Sequence, residues 1–472
     1  MTREILIDPV TRIEGHSRIT IQLDDAGEVS DAHFAVTQFR GFEKLCQGRP
    51  FAEMPSLMAR ICGICPVSHL IASSKACDGI LAVRPPKTGA DLRTLMNLAQ
   101  IVQSNALSLF HLSSPDLLFG FDADPATRNI VGVAQFHPQL AKDGIFLRKF
   151  GQHTIFLLGS KRIHPSWIVP GGVETPLTAD KRAEILAMMP EAYAAMQRAI
   201  DWFTGNLMPF VETTEVFGSF PSAFMAMVND EGNVEHYDGR LRVVDAERKL
   251  IAEFDGQDYA QYIGEGVDDR SFLKPTYLKS LGPIDGVYRV GTLARAIVAN
   301  AFGTPRADEA LGAFRAQFGI APQSSFHYHY TRLLDVLYCI ERMEQLLLQE
   351  DILSERVLAK AEVNSNVGIG VSEAPRGTLI HHYTVDDDGI IQTANLVIAT
   401  GHNASAMNMS VRQVARRYVR GEVITEGMLN RVEAVIRCYD PCLSCSTHAM
   451  GQMPLHIELL SPDGTVLDEV RR

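Results

Sequence analysis

Four of the eight cysteines fall into two C-x-x-C pairs at opposite ends of the chain. Cys62 and Cys65 lie in Arg60-Ile61-Cys62-Gly63-Ile64-Cys65-Pro66. Cys442 and Cys445 lie in Asp440-Pro441-Cys442-Leu443-Ser444-Cys445, with His448 close behind. The spacing lets two thiolates converge on one metal ion while the backbone between them donates N–H bonds to sulfur. One pair alone is shared by redox motifs and zinc knuckles. Two pairs that meet make a four-thiolate site that staples the ends of the chain together. Three chemistries compete for it. A structural zinc suits small, core-poor modules, not a chain with ample core whose cysteines Cys65 and Cys442 stand 377 positions apart. A thioredoxin-like redox pair at Cys62 and Cys65 leaves the second pair unexplained. A catalytic soft-metal centre, with thiolates that favour nickel, iron, copper or zinc and an open coordination position, accounts for both pairs.

Two charged motifs suit such a centre. Glu14, in Thr11-Arg12-Ile13-Glu14-Gly15-His16, is a carboxylate able to relay protons, and Arg376, in Glu373-Ala374-Pro375-Arg376-Gly377, is a cation able to face anionic ligands. Taken singly, each has an ordinary reading as a solvated or paired charge. Cys46, Cys77, Cys339 and Cys438 are isolated and read as buried apolar thiols.

The elements that must position these residues follow from periodicity. Residues 1–40 read as strands: Ile19, Ile21 and Leu23 alternate with polar residues, and Asp24-Asp25-Ala26-Gly27 is a turn. Residues 50–220 read as mainly helical, with Pro190 as a kink or break in the helix over 181–204 and a loop at 164–172. Short β-like runs mark 229–290. The spacing of Leu333, Leu337, Ile340, Met343 and Leu347 predicts a long amphipathic helix over 330–360. Residues 378–398 read as a hairpin turning at Asp386-Asp387-Asp388-Gly389, and one helix over 408–437 leads to the second cysteine pair. The fold class is α+β, mainly α: one large helical core with β-rich segments at its edges.

Composition narrows the function. With 472 residues, 46% hydrophobic and 21% charged, the chain has the balance of a soluble globular protein. A net charge of −12 offers no basic surplus for nucleic acid or an anionic membrane. Residues 1–9 have no signal-peptide core, and no stretch reaches the ~18 apolar residues of a membrane span. The expected location is the cytoplasm, where the close cysteine pairs stay reduced and bind metal.

The chain resembles the large, catalytic subunit of [NiFe]-hydrogenases, and the soluble cytoplasmic NAD-reducing type in particular. The resemblance runs end to end and is carried by Thr11 to His16, Arg40-Gly41-Phe42-Glu43, Arg60 to Cys65 with His69, the loop at 164–172, Glu373 to Gly377 and Asp440 to His448. It implies that Cys62 and Cys442 bind nickel terminally, and that Cys65 and Cys445 bridge it to an iron carrying one carbon monoxide and two cyanides. Four thiolates and two cyanides carry about −6 against about +4 from two divalent metals, so the cluster calls for cationic and N–H partners. Arg376 and Arg60 are the expected cations, Thr400 the expected cyanide donor, and His69 is expected to orient a cysteine sulfur. Where relatives carry a Pro before the cyanide donor, this chain has Ala399, and where many carry an acidic residue it reads Gln103-Ser104-Asn105.

The implied reaction is reversible heterolytic cleavage of dihydrogen to hydride and proton. The proton passes to the Cys442 thiolate and on to Glu14; Arg376, always protonated, is the weaker base. The resemblance also implies a Mg²⁺ held by Glu43, the backbone carbonyl of Leu396, waters and His448; iron or manganese there stays open. It makes 1–448 a single domain and the 24 residues after His448, 449–472, a propeptide removed on maturation. Four cysteines spent on the centre leave no set for an iron–sulfur cluster. Gly368-Ile369-Gly370 also lacks the full dinucleotide fingerprint. The implied partners are therefore a small iron–sulfur hydrogenase subunit, diaphorase subunits carrying Fe–S clusters, FMN and NAD, a maturation protease and nickel-insertion proteins. A deazaflavin-reducing enzyme or a hydrogen sensor shares these motifs. A relative of the respiratory quinone-reductase subunit lacks the metal cysteines, and a zinc-stapled scaffold is told apart by metal content.

Overall fold

The computed structural model describes residues 3–206, 210–420, 423–447, 456–461 and 465–471. The chain opens with a three-stranded antiparallel sheet, Arg3–Ile7, Ser17–Leu23 and Val29–Val36, in which Ile5 faces Ile21 and Ile21 faces Ala32. Ile19, Ile21 and Leu23 are buried as their alternation requires, and Asp24 closes the turn by accepting the N–H groups of Ala26 and Glu28 at 2.9 Å.

A helical body follows. Pro66–Leu81 and Lys87–Leu107 are buried along almost their whole length, and Pro138–Gly159 and Ala179–Gly205 pack around them. The expected break at Pro190 does not occur, and Ala179–Gly205 is continuous. Pro190 is exposed, so the ring and its missing N–H sit on the solvent face, while the stripe of Ile185, Met189, Ala192, Met196, Ala199 and Phe203 holds the other face in the core.

Two other helices differ from expectation. The helix expected over 330–360 spans His327–Leu348 and stops at extended Gln349; Glu350 and Asp351, which follow, place negative charge where a helix C-terminus disfavours it. The single helix expected over 408–437 is two, Ala404–Tyr418 and Glu426–Tyr439. Val419 is extended, and the Thr425 side chain caps the second helix on the Met428 N–H. The β-like runs near 229–290 form a four-stranded sheet in which Ala223–Val228, Arg240–Val244 and Leu250–Asp255 are antiparallel and Tyr288–Arg289 adds a parallel edge.

The expected hairpin is present as Gly377–Val385 and Ile391–Val397, and Val367–Ala374 extends it to three strands. This sheet lies directly on the helix Pro66–Leu81. A Cβ on Gly368 or Gly370 would stand about 2 Å from the carbonyls of Ala76 and Ala72, so Gly368-Ile369-Gly370 serves backbone contact between sheet and helix. An apolar cluster fills this junction and contains Met54, Met58, Leu379, Tyr383 and all four paired cysteines. Among the described residues no helix is long and apolar enough to cross a membrane.

Candidate metal centre

The two cysteine pairs meet. Sγ of Cys62 is 3.3 Å from that of Cys442, Cys65 is 3.5 Å from Cys445, and Cys442 is 2.8 Å from Cys445. The four sulfurs lie within 4.8 Å of one another, and none of the cysteines is more than 5% exposed. Cys62 is extended after the turn Ala59–Ile61, and Cys65 caps the helix Pro66–Leu81. The N–H groups of Ile64 and Cys65 point at the Cys62 sulfur, 3.2 and 3.5 Å away. At the other end the helix Glu426–Tyr439 terminates on left-handed Asp440, and Cys442, two residues on, is extended.

The N-terminal loop braces this second pair. Glu14 bridges to Cys442, its carbonyl accepts the Leu443 N–H at 3.1 Å, and its carboxylate accepts the Ser444 N–H at 3.0 Å. Gly15, at φ +91°, leaves room for Leu443: a Cβ there would stand 2.6 Å from the Leu443 Cβ.

A narrow cavity of ≈ 10 Å³ adjoins the sulfurs, walled by His69, Ala374, Pro375, Arg376, Ile398 and Thr400 among others. Arg376 is carried on the two-residue turn between paired Ala374 and Gly377. Its Nη1 donates to Ser104 Oγ at 3.2 Å and its Nε donates to the Asp440 carbonyl. Nη2 stands 3.0 Å from Asp440 Oδ2, held by charge rather than by an aligned hydrogen bond. Burial opposes the charge on Arg376, but Asp440 and the sulfurs of Cys442, Cys65 and Cys62 outweigh it and fix the guanidinium as a cation. Behind the turn, fully buried Arg295 donates to the Ala374 carbonyl and pairs with Glu373 at 2.9 Å and Asp335 at 2.8 Å. His236, Asp335 and Cys339 form a second group with metal-like spacing, but Asp335 is already paired with Arg295 at 2.8 Å and with His236 at 3.2 Å, and the group belongs to this ion-pair network.

Thr400 Oγ1 accepts the Cys442 N–H at 3.0 Å, which leaves its hydroxyl hydrogen to donate elsewhere. Ala399 lines the same wall. His69 is buried on the cavity wall with Nδ1 3.2 Å from His381 Nε2. His164, in the loop at 164–172, bonds the Ala59 carbonyl at 2.8 Å. That loop is fastened at Gly171 and Gly172 by Asp78 and Arg93.

Arg60 is not brought to the sulfurs. It is exposed and donates to the Ser56 carbonyl at 2.7 Å, because Ala59 and Ile61 take the inward side of the turn. The guanidinium that does join the cysteine loops is Arg40, whose Nη1 donates to the carbonyl of Ile61 at 2.5 Å and reaches that of Ser444 at 3.4 Å. Glu43 accepts the Leu396 backbone N–H at 2.8 Å and pairs with Lys274 at 3.0 Å. Lys274 also pairs with Glu265 at 2.6 Å and donates to Asn395 at 2.8 Å. Neither Lys274 nor Glu265 stands in a motif that sequence reading singles out. His448 lies outside the described residues.

The donor set fits soft divalent metal. Hydrogen bonds from the sulfurs of Cys442, Cys445 and Cys65 hold the Cys62 thiol well below its ordinary value against burial, while burial pushes Cys442 and Cys445 well above. Four sulfurs this close cannot all be anionic without cationic partners, and divalent ions supply them. At Glu43 and Glu265 two carboxylates share one ammonium, which leaves a negative charge and hard oxygen donors.

Fold and centre together define a class, and the comparisons agree. A family model described as nickel-dependent hydrogenase matches residues 40–139 and 245–448, and one described as HoxL-like matches 4–39. The chain belongs to the nickel-dependent hydrogenase family. It is 40% identical to the NAD-reducing hydrogenase HoxS subunit beta of Cupriavidus necator over all of both chains. It is likewise 40% identical to a chain of the F420-non-reducing hydrogenase vhc of Methanococcus voltae, over 96% of each. The crystal structure of an NAD⁺-reducing [NiFe]-hydrogenase in the H₂-reduced state superposes with a TM-score of 0.92 at 41% identity, covering 95% of this chain and all of that one.

Proposed function

We propose that the chain is the catalytic subunit of a bidirectional, NAD-reducing [NiFe]-hydrogenase. The convergence of Cys62, Cys65, Cys442 and Cys445 on one buried point carries the reading. Cys62, Cys65, Cys442 and Cys445 would together hold nickel and an iron bearing one carbon monoxide and two cyanides. Loaded in this way, the centre supplies the soft electrophile at which dihydrogen is split heterolytically.

The chain's own residues do the rest. Arg376 sets a permanent positive charge, and Thr400 a hydroxyl donor, on the cavity wall where anionic diatomic ligands need them. The apolar side chains of Leu379 and Ile398 exclude water. The Cys442 sulfur takes the proton, and the Glu14 carboxylate, held against the Ser444 N–H and partly open to solvent, passes it outward. Glu43 with Glu265, the Leu396 carbonyl and His448 would hold Mg²⁺, whose two charges the two carboxylates balance.

Electrons leave through a small iron–sulfur subunit to diaphorase subunits that carry FMN and bind NAD, in the cytoplasm. Relatives named as F420-non-reducing favour this acceptor over a deazaflavin. Residues 1–448 form the functional domain, and 449–472 form a propeptide that a maturation protease removes after nickel-insertion proteins load the site. Metal analysis of anaerobically purified complex tests the reading: nickel with iron is expected, and zinc alone overturns it.

A further inference from the structure

Arg295 lies behind Arg376 on the short helix Thr292–Val298 and is fully buried. All three of its nitrogens have an acceptor: Nε donates to the Glu373 carboxylate at 2.9 Å, Nη1 to Asp335 Oδ2 at 2.8 Å, and Nη2 to the Ala374 carbonyl. Glu373 and Ala374 end the strand that enters the turn bearing Arg376. Burial opposes the charge on Arg295, but Asp335 and Glu373 outweigh it, so the guanidinium stays a cation.

The same network reaches Arg376 by a second route. Asp335 Oδ2 also accepts from Asn105 Nδ2 at 3.0 Å, and the neighbouring Ser104 Oγ accepts from Arg376 Nη1 at 3.2 Å. Thr378 Oγ1 donates to the Glu373 carboxylate at 2.6 Å, and Asn97 Nδ2 donates to the Glu373 carbonyl at 2.9 Å. The turn also touches the segment that leads into the Arg295 helix. A Cβ on Gly291, at φ +98°, would stand 2.9 Å from the Arg376 carbonyl, and one on Gly377, at φ +127°, would stand 2.3 Å from Val290 Cγ2. A planar fork that spans several acceptors fixes both distance and angle, which a single ammonium does not.

We propose that Arg295 is a positioning residue for Arg376: by clamping the Glu373 carboxylate and the Ala374 carbonyl, it sets where the Arg376 guanidinium stands on the cavity wall. Side chains at a reacting centre need to be held to about 0.5 Å by the groups behind them. That Arg376 serves dihydrogen chemistry rests on the hydrogenase reading; where Arg295 places it does not.

The test is made on the metal-free full-length chain labelled with ¹⁵N-arginine, so its failure is separate from a failure to find nickel. The Arg376 Nε–H signal is assigned by its loss in Arg376→Lys. That group is buried and donates to the Asp440 carbonyl, so it should exchange slowly with solvent. Arg295→Lys keeps the charge but cannot span the Glu373, Asp335 and Ala374 acceptors, and Arg376 Nε–H exchange should rise about tenfold or more. Ile185→Ala, a core truncation in the helix Ala179–Gly205 outside the network, controls for lost stability and should leave that exchange unchanged. Unchanged exchange in Arg295→Lys overturns the proposal, as does an equal rise in Ile185→Ala. If Arg295→Lys does not fold, Glu373→Gln, which keeps the shape and removes the charge that Arg295 holds, is judged by the same criteria.

Discussion

The backbone N–H of Ser444 meets the carboxylate of Glu14 at 3.0 Å, joining residues 430 positions apart. The adjacent Leu443 N–H bonds the Glu14 carbonyl at 3.1 Å, so the N-terminal loop holds the C-terminal cysteine turn by backbone and side chain at once. The centre therefore forms only when the two ends of the chain have met, a loop closure whose entropy the rest of the fold must first offset. The same contact brings the Glu14 carboxylate to the turn that carries Cys442 and Cys445.

Glu14→Gln should separate these two roles. The amide oxygen still accepts from Ser444, so nickel and iron content should not change. Proton passage needs an ionisable group, and hydrogen–deuterium exchange with solvent should slow by about 10²–10⁴-fold, the usual contribution of a positioned acid–base group. Exchange at the unaltered rate would remove Glu14 from the proton route.

Cys442→Ser should abolish nickel retention, because an alcohol is not deprotonated at neutral pH and is a harder donor than a thiolate. Cys339→Ser should keep nickel. Cys339 is fully buried in the helix His327–Leu348, where a hydroxyl costs about 1–3 kcal/mol if it finds no partner. Metal analysis alongside a denaturation curve checks both variants, and loss of nickel from Cys339→Ser would mean that the group around Asp335 supports the centre.

Much of the site was legible because its groups sit in short contiguous motifs: the cysteine pairs, Glu14, Arg376 and Thr400 all lie where those motifs place them. What sequence could not show is set by long-range pairing. Lys274 meets Glu43 across 231 positions and Asn395 across 121, and Arg295 meets Glu373 across 78, so each reads in sequence as an ordinary solvated charge. Arg60 adjoins Cys62 in sequence but faces solvent, while Arg40, 21 positions before Ile61, reaches that loop. Element boundaries failed where apolar periodicity ran through a break, as at Val419, or where a disfavoured residue sat on an exposed face, as at Pro190.

Thr400→Val should lower stability by about 1–3 kcal/mol, because the buried Cys442 N–H loses its acceptor. It also removes a hydroxyl donor from the cavity wall, so infrared bands of the diatomic ligands in the loaded complex should shift. Thr400→Ser restores both functions and should match the unaltered protein. A valine variant with unaltered stability and bands would remove Thr400 from the site.

Asp116 ties the N-terminal loop to the helix Glu426–Tyr439. Its carboxylate takes Arg12 at 2.6 Å, Arg437 at 2.9 Å and Asn430 at 3.0 Å. Burial raises its pKa, but Arg437 and Arg12 outweigh burial and hold the carboxyl below its usual value. A depressed folded-state pKa means that the pairing stabilises fully above the unfolded carboxyl value of about 3.9 and is lost as pH falls through the folded one. At neutral pH Asp116→Asn leaves Arg12 without a carboxylate partner and Arg437 with Glu433 alone, 3.2 Å away, and should cost about 3–5 kcal/mol. In acid the unaltered protein loses the same charge, so the gap in denaturant midpoint between the two should narrow steadily below about pH 4. A gap that stays constant into acid would show that the variant acts by disturbed packing and not by lost charge.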